Sequence, residues 1–191
     1  MNKTKRFLAL ALALVMVFAM LPVSTASAAS GSKWVSAWST SPIDASLSEL
    51  GILNELAVPV GAISNRMVIE STASGTQVRF VLSNEYSIVP MTVKACSVGR
   101  VVKSSLTDCV MNTLTARTVR VNGRSTFTIP AGEVVTTDPV IMKVTAGEKL
   151  CVNIYYKDVT AIRTIGLIGA DSYIGIGNTT HSNKVVPIPL K

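Results

Sequence analysis

The sequence is poor in the side chains that bind metals. It contains one histidine, His181, and three cysteines, and no two cysteines are spaced as Cys-x-x-Cys. A structural zinc site takes its Cys and His ligands from short, regular spacings. The sequence therefore argues against such a site, and we predict neither a metal nor a cofactor.

Basic residues are not clustered in this sequence. The formal net charge is +7, but three of the 18 basic residues stand within the first six positions. The other 15 are scattered from Lys33 to Lys191 beside 11 acidic residues, which leaves a net charge of +4. A nucleic-acid-binding domain concentrates Lys and Arg on one face or along one helix. We therefore predict no nucleic-acid partner and interpret the charged residues as solvent-facing positions of strands.

A long apolar run occurs only at the start of the chain. The first basic residues precede an apolar run from Phe7 to Leu21, and the small residues Ala26-Ser27-Ala28 follow it. This order is typical of a secretory signal peptide cleaved near Ala28, and the run is short for a membrane span. We expect residues 1–28 to be a signal peptide and the protein to be secreted without a stable membrane anchor. The mature chain of about 163 residues is predicted to form one domain.

The cysteines predict a disulfide in a secreted protein. Cys96, Cys109 and Cys151 would meet an oxidising exterior, where one disulfide and one leftover cysteine is the natural count. Cys96 with Cys109 is the preferred pair, and closing that short loop would stabilise the fold by about 3 kcal/mol. Three unpaired thiols are the open alternative, because sequence spacing does not show which side chains meet.

The pattern from Asn65 onward is that of β-strands. Alternating apolar residues predict a half-buried strand over Thr76 to Leu82, which we expect to be a central strand of the fold. Arg66 to Thr72 would pair with it as a hairpin around Ser74-Gly75. A second hairpin is predicted around Asn122-Gly123, because both residues tolerate the positive φ that a type I′ turn needs. The remaining predicted strands from Asn65 onward are Pro90 to Val98, Thr115 to Val121, Arg124 to Ile129, Glu133 to Val140 and Lys149 to Tyr156, and a strand-like segment is predicted before them from Ser32 to Thr40.

About nine or ten short strands separated by turn signals are typical of two packed antiparallel sheets. We therefore predict an all-β, two-sheet antiparallel β-sandwich of jelly-roll type over residues 29–183. One short helix is predicted where Ser46-Leu47-Ser48-Glu49 has the spacing of a capping box. The apolar tail, residues 184–191, is broken by two prolines and reads as the start of a linker.

Four stretches carry a resemblance to a known family. They are SKWVSAWSTSP from Ser32, VRFVLSNEYSIVPMTV from Val78, VRVNGRSTFTIPAGEVVTTDPV from Val119 and AGEKLCVNIYY from Ala146. In order and spacing they resemble the N-terminal region of secreted SGNH (GDSL-type) hydrolases, from Lys33 to about Asn178. In that family this β-sandwich region precedes a flavodoxin-like α/β/α domain that carries ester hydrolysis.

The resemblance implies an accessory role. The family's chemistry needs a Gly-Asp-Ser block, separate Gly and Asn oxyanion donors and a late Asp-x-x-His block, and none of these blocks occurs in this sequence. The chain would then be a non-catalytic domain that packs against a hydrolase domain encoded by the same or an adjacent gene. The loop Ser83-Asn84-Glu85-Tyr86 is the candidate to face that domain, and an ordinary strand-ending turn is its alternative.

One stretch imitates a nucleophile block. Gly169-Ala170-Asp171-Ser172 follows an apolar run, and His181 stands nine residues after Ser172. A minimal esterase would use Ser172 as nucleophile, His181 as base and Asp171 or Asp158 as the orienting acid. We favour the alternative in which Asp171 and Ser172 are turn residues and His181 lies in a surface loop.

Aromatic residues make up only 5% of the sequence. A free-standing carbohydrate-binding module is nevertheless an alternative function, because exposed aromatic rings stack on sugars. Its candidate stacking residues are Trp34, Trp38, Tyr86, Tyr155 and Tyr173. Packing of the two tryptophans in the core or at an interface is the competing interpretation.

Overall fold

The computed structural model describes residues 33–44, 62–156, 164–166 and 170–185. The chain divides into two compact units, Met1–Trp34 and Val35–Lys191, and every described strand belongs to the second. Within the described ranges all regular secondary structure is β-strand. The predicted all-β class is therefore confirmed. The predicted signal peptide and the short helix predicted from Ser46 lie outside the described residues.

Thirteen strands occur in the described part of the chain. They are β1 (Pro42–Asp44), β2 (Ile63–Glu70), β3 (Gly75–Val78), β4 (Val81–Ser83), β5 (Met91–Val93), β6 (Ala95–Ser104), β7 (Cys109–Thr118), β8 (Phe127–Ile129), β9 (Val134–Thr136), β10 (Val140–Val144), β11 (Lys149–Tyr156), β12 (Thr164–Gly166) and β13 (Asp171–Ile176). A five-stranded sheet has the order β13-β2-β11-β6-β7, and the other strands form the two-stranded sheets β1–β12, β3–β10, β4–β9 and β5–β8. All of these pairings are antiparallel.

Strand β11 lies at the centre of the five-stranded sheet. Its bounds are those predicted from the sequence, and it pairs with β2 along its whole length, from Lys149 opposite Glu70 to Tyr156 opposite Ile63. Successive side chains of a strand point to opposite faces. The row Leu150, Val152, Ile154 and Tyr156 is buried on one face, as its alternation predicts.

The main core lies on that face of the five-stranded sheet. Buried residues of β2, β6 and β11 pack there with buried residues of the two-stranded sheets, among them Leu82, Val93, Phe127, Ile129 and Met142. Burying one such side chain contributes about 1.5–3 kcal/mol relative to leaving it in water. The opposite face, which we call the second face, carries a smaller cluster of Val68, Cys109, Met111, Cys151, Tyr173 and Val185.

The hairpin predicted around Ser74-Gly75 does not form. β2 pairs with β11 and β13, whereas the predicted strand from Thr76 is split into β3, which pairs with β10, and β4, which pairs with β9. The split occurs at Phe80, because Thr137 bonds both of its backbone groups. Phe80 N donates to Thr137 Oγ1 at 2.9 Å, and Thr137 N donates to Phe80 O at 2.8 Å. The stretch predicted as a central strand therefore contributes to two small ribbons, and β11 is the central strand.

The turn predicted at Asn122-Gly123 is present. Both residues have positive φ, 51° and 76°, and Val121 forms an isolated bridge with Arg124. The Asp138 carboxylate accepts hydrogen bonds from Asn122 N at 3.0 Å and Gly123 N at 2.7 Å. The flanking strands do not pair with each other, since β7 pairs with β6 and β8 pairs with β5. The local turn was predictable, but the choice of strand partner was not.

Two other predicted strands are each divided in the structure. The predicted strand from Pro90 is divided at Lys94 into β5 and β6, and the one predicted over Glu133 to Val140 is divided into β9 and the first residue of β10. The predicted start of the linker also shifts. Lys184 forms a bridge with Val110, and Val185 is 1% exposed in the cluster of the second face. These two residues belong to the folded domain, and the rest of the predicted linker lies outside the described residues.

Candidate functional site

Asn84 organises the loop that follows β4. Its side chain is buried, and Nδ2 donates to the carbonyl oxygens of Val89 at 3.0 Å, Pro130 at 3.1 Å and Ile129 at 3.3 Å. Its backbone N donates to Glu133 O at 2.8 Å. Asn84 therefore fixes the loop to the segment between β8 and β9, and its side chain is not available to a partner domain.

The other predicted interface residues are more accessible. Ser83 Oγ donates to Glu85 Oε2 at 2.7 Å at the exposed start of the loop. Tyr86 is 42% exposed, and its backbone N donates to Thr164 Oγ1 at 3.0 Å. Ser83, Glu85 and Tyr86 thus lie on a loop whose backbone is held in place on both sides.

Apolar side chains are exposed beside this loop. Val81 is 66% exposed and Val134 is 48% exposed, and both lie on the outer face of the β4–β9 ribbon. Their shared face follows from the register, in which Val81 is opposite Thr136 and Ser83 is opposite Val134. On the loop, Ile88 is 79% exposed and Val89 is 40% exposed. We call Val81, Tyr86, Ile88, Val89 and Val134 the β4–β9 apolar surface.

A completely buried arginine lies on the second face of the five-stranded sheet. Arg66 Nε donates to Asn153 Oδ1, and the two terminal nitrogens donate to four backbone carbonyl oxygens. These acceptors are Cys109 O and Asn183 O at 3.0 Å, Ser182 O at 2.6 Å and Thr179 O at 3.2 Å. A guanidinium group has five N–H donors. All five are used within the chain, so Arg66 has none left for a substrate anion.

Further side chains extend this buried polar network. Asn153 Nδ2 donates to Ser97 Oγ at 3.2 Å, and Ser97 Oγ donates to the carbonyl oxygen of Thr180. Ser64 Oγ donates to Gly177 O at 2.7 Å and accepts from Thr179 N at 2.9 Å. The network therefore binds the segment 177–185 to the second face. Its role is structural, because the side chains of Arg66, Asn153, Ser97 and Ser64 all have hydrogen-bond partners within the chain.

This network was not predicted from the sequence. Charged residues such as Arg66 were expected to face solvent, whereas the structure buries Arg66 completely. Polar residues alternate with apolar ones in β2 and β11, and that pattern is also typical of strands with one face in water. The available signal was the presence of Val68 and Cys151 in the same rows as the polar residues, since both are residue types that prefer the interior.

The cysteines are arranged differently from the predicted pairing. Cys96 lies in the main core, and Cys109 lies in the cluster of the second face. The sheet separates the two side chains, so the geometry does not bring the predicted pair together. Cys151 is the neighbour of Cys109 instead, with 3.4 Å between the two sulfur atoms.

The structure does not bring the predicted esterase residues together. Asp171 and Ser172 are exposed on β13, where Ser172 shares a face with Ile174, which packs against the main core. His181 is exposed on the segment that covers the second face, and its Nδ1 lies 3.2 Å from Thr180 Oγ1. Ser172 and His181 therefore lie on different sides of β13. Among the described residues no hydrogen bond joins them.

The predicted sugar-stacking residues are spread over different environments. Tyr173 is buried on the second face, and its hydroxyl donates to Ser105 O. Burial and the nearby Asp171 carboxylate raise the pKa of Tyr173. Trp38 is half-buried against the main core, and Trp34 and Tyr155 are each half-buried. Tyr86 is the most exposed of the five candidates.

Within the described ranges, no three metal-ligating side chains of His, Cys, Asp or Glu come together. The same residues contain no helix with the length and hydropathy needed to cross a membrane. No protein-family model matches the chain, and no curated protein matches it either.

Proposed function

We propose that this chain is a non-catalytic accessory domain of a secreted SGNH (GDSL-type) ester hydrolase, with the jelly-roll β-sandwich architecture of that family's N-terminal region. It packs against the α/β/α hydrolase domain, which is part of the same or an adjacent gene product, and it shapes the substrate cleft of that domain. The family rests on the resemblance of four sequence stretches. The docking role rests on one structural observation, the β4–β9 apolar surface.

Burying this surface would release free energy for docking. Ile88 and Val81 are mostly exposed, and moving one Ile or Val side chain from water into a packed interface contributes about 1.5–3 kcal/mol. Apolar anchors near the centre of an interface carry most of its binding free energy. Glu85, on the same loop, supplies a charged group for the polar rim of such an interface.

The loop is already in a fixed conformation. Asn84 holds it with three side-chain hydrogen bonds, and Ser87 Oγ donates to Val89 O at 2.9 Å. A loop that is ordered before binding loses less conformational entropy when it docks than a mobile loop would. This pre-ordering favours a docking role over the alternative of an ordinary strand-ending turn.

A binding titration tests the proposal. The secreted chain and the separately produced α/β/α domain of an SGNH hydrolase with a matching N-terminal region are mixed in a calorimeter. We expect saturable binding that Ile88→Ser weakens at least about tenfold, because an apolar anchor is lost. Ile141→Ser is the matched control, since Ile141 on β10 is also 79% exposed but lies outside this surface.

Two outcomes of this titration count against the proposal. If the wild-type chain does not bind, the proposed partner is wrong. If both variants weaken binding equally, the β4–β9 apolar surface is not the docking site. The competing functions have their own tests. Retardation on a polysaccharide gel would support sugar binding, and release of p-nitrophenol from short acyl esters that Ser172→Ala abolishes would support ester hydrolysis by this chain.

A further inference from the structure

Two buried thiols face each other on the second face of the five-stranded sheet. Cys109, the first residue of β7, and Cys151 of β11 are both completely buried, and their sulfur atoms are 3.4 Å apart. A disulfide bond is about 2.05 Å long. The sulfur atoms therefore need to approach by only about 1.4 Å to form the bond.

We propose that Cys109 and Cys151 form a disulfide that joins β7 to β11 across the second face. Cys96 remains a free thiol, because it lies in the main core on the opposite face of the sheet. Burial raises the pKa of the Cys96 thiol to about 12, which keeps it protonated and unreactive.

The surroundings of the two thiols shift their pKa values in opposite directions, which favours thiol–disulfide exchange. The hydrogen bond from the Cys151 thiol and the charge of Arg66 lower the pKa of Cys109 against the effect of burial. The hydrogen bond with Cys109 and burial raise the pKa of Cys151. Arg66 is close to this site, since it donates to the carbonyl oxygen of Cys109 at 3.0 Å. Of these two thiols, Cys109 is therefore the one that loses its proton more easily.

The oxidant is a second disulfide, either a small molecule or a protein. The Cys109 thiolate attacks one of its sulfur atoms, the oxidant's S–S bond breaks, and one thiolate leaves and takes up a proton. Cys151 then loses its proton, attacks Cys109 Sγ in the mixed disulfide and displaces the second thiol. The protein loses two electrons and two protons, and the oxidant becomes two thiols.

The disulfide would hold the segment 177–185, which covers the second face, in place. β7 begins directly beside the tail, where Val110 bridges Lys184 and Met111 N donates to Asn183 O at 2.8 Å. Since both sulfurs are buried, an oxidant reaches them during folding or after local opening of this cover. We expect the finished disulfide to resist glutathione in the folded protein and to be reduced readily in denaturant.

Peptide mapping of the wild-type chain tests the proposal. The purified protein is refolded in a mixture of reduced and oxidised glutathione, unfolded in acid, alkylated and digested with trypsin. Arg100, Lys103, Arg117 and Lys149 place the three cysteines on separate tryptic peptides. We expect a linked pair of peptides containing Cys109 and Cys151, an alkylated Cys96, and an intact mass about 2 Da below that of the reduced chain.

Thermal unfolding gives a second measurement. Closing the loop between Cys109 and Cys151 should raise the Tm of the oxidised protein by about 10 °C over the reduced protein. Cys96→Ala should keep this difference, and Cys151→Ser should lose it. Alkylation of all three cysteines after oxidation, or a link that includes Cys96, would overturn the proposal even if a variant failed to fold.

Discussion

The second face and the β4–β9 apolar surface reverse the usual distribution of side chains. On the second face a charged residue, Arg66, is completely buried, whereas on the β4–β9 apolar surface Ile88 is 79% exposed. The two regions differ in whether their groups are satisfied within the chain. Each N–H of Arg66 has an acceptor in the same domain, while Ile88 and Val81 remain in contact with water.

This difference separates a region that stabilises the fold from a region that is available to a partner. A buried polar group without hydrogen bonds is costly, so a saturated network such as that of Arg66 is explained by folding. An exposed apolar surface on a fixed loop is not explained by the folding of the described residues, and such surfaces commonly mark interaction sites. We therefore attribute a stabilising role to the second face, and we propose partner recognition as the role of the β4–β9 apolar surface.

Removing Arg66 should have the largest effect on stability. Arg66→Met removes the five hydrogen bonds that the guanidinium group donates to Asn153 Oδ1 and to four backbone carbonyls, and we expect the free energy of unfolding to fall by about 4 kcal/mol. Arg66→Lys should recover only part of this loss, because an ammonium group has three donors. Urea unfolding measures both variants.

The matched control is Arg117→Met. Arg117 is exposed on β7, and it too donates to backbone carbonyls, those of Leu114 and Ala116. We expect Arg117→Met to change the free energy of unfolding by no more than about 0.5 kcal/mol. Equal effects at Arg66 and Arg117 would contradict the claim that the buried network stabilises the fold.

A truncation in the main core should have the next largest effect. Leu150→Ala removes a buried side chain of the central strand and leaves a cavity, which should lower the free energy of unfolding by about 3 kcal/mol. Leu114→Ala deletes the same atoms from a side chain that is 87% exposed, and should change it by less than about 0.5 kcal/mol. Similar values for the two variants would show that the assignment of β11 to the centre of the core is wrong.

Asn84 links the two kinds of region, because it is a buried polar residue that supports an exposed apolar loop. Asn84→Ala removes the three hydrogen bonds that Nδ2 donates to the carbonyl oxygens of Val89, Ile129 and Pro130, and we expect the free energy of unfolding to fall by about 2 kcal/mol. The loop should also become sensitive to limited proteolysis. Ser83→Ala removes only two exposed hydrogen bonds, both with Glu85, and is the control. A loop that stays resistant in Asn84→Ala would argue against its pre-ordering.

The smallest effect should be seen with acid. Glu148 accepts a hydrogen bond from Thr145 N at 3.0 Å, and this bond together with the neighbouring Arg100 guanidinium holds the pKa of Glu148 below its usual value. A carboxylate with a lowered pKa stabilises the fold above its unfolded pKa of about 4.3 and loses that contribution as the pH falls through its folded pKa. Glu148→Gln should therefore lose slightly less stability than the wild type between about pH 5 and pH 3. If the stability of Glu148→Gln depends on pH as that of the wild type does, Glu148 does not contribute to acid sensitivity.

The sequence predicted features that depend on neighbouring residues. The bounds and the buried row of β11 follow from alternation, and the turn at Asn122-Gly123 follows from the backbone preferences of two residues. Pairing depends on distant segments, which is why β2 was assigned to a hairpin with the strand from Thr76 although it pairs with β11 and β13. Alternation also shows which residues share a face but not what covers it. Arg66 was therefore placed in solvent, and Asn84 was grouped with exposed loop residues.

Hydrogen–deuterium exchange of the bound complex tests the docking claim most directly. The chain is labelled with and without an excess of the α/β/α domain of an SGNH hydrolase, and peptides are compared by mass spectrometry. We predict slower exchange in residues 81–89 and 133–136 on binding, with no change in the amides of β2 and β11. Slower exchange confined to the amides of β10, or no change anywhere at saturating partner concentration, would contradict the account.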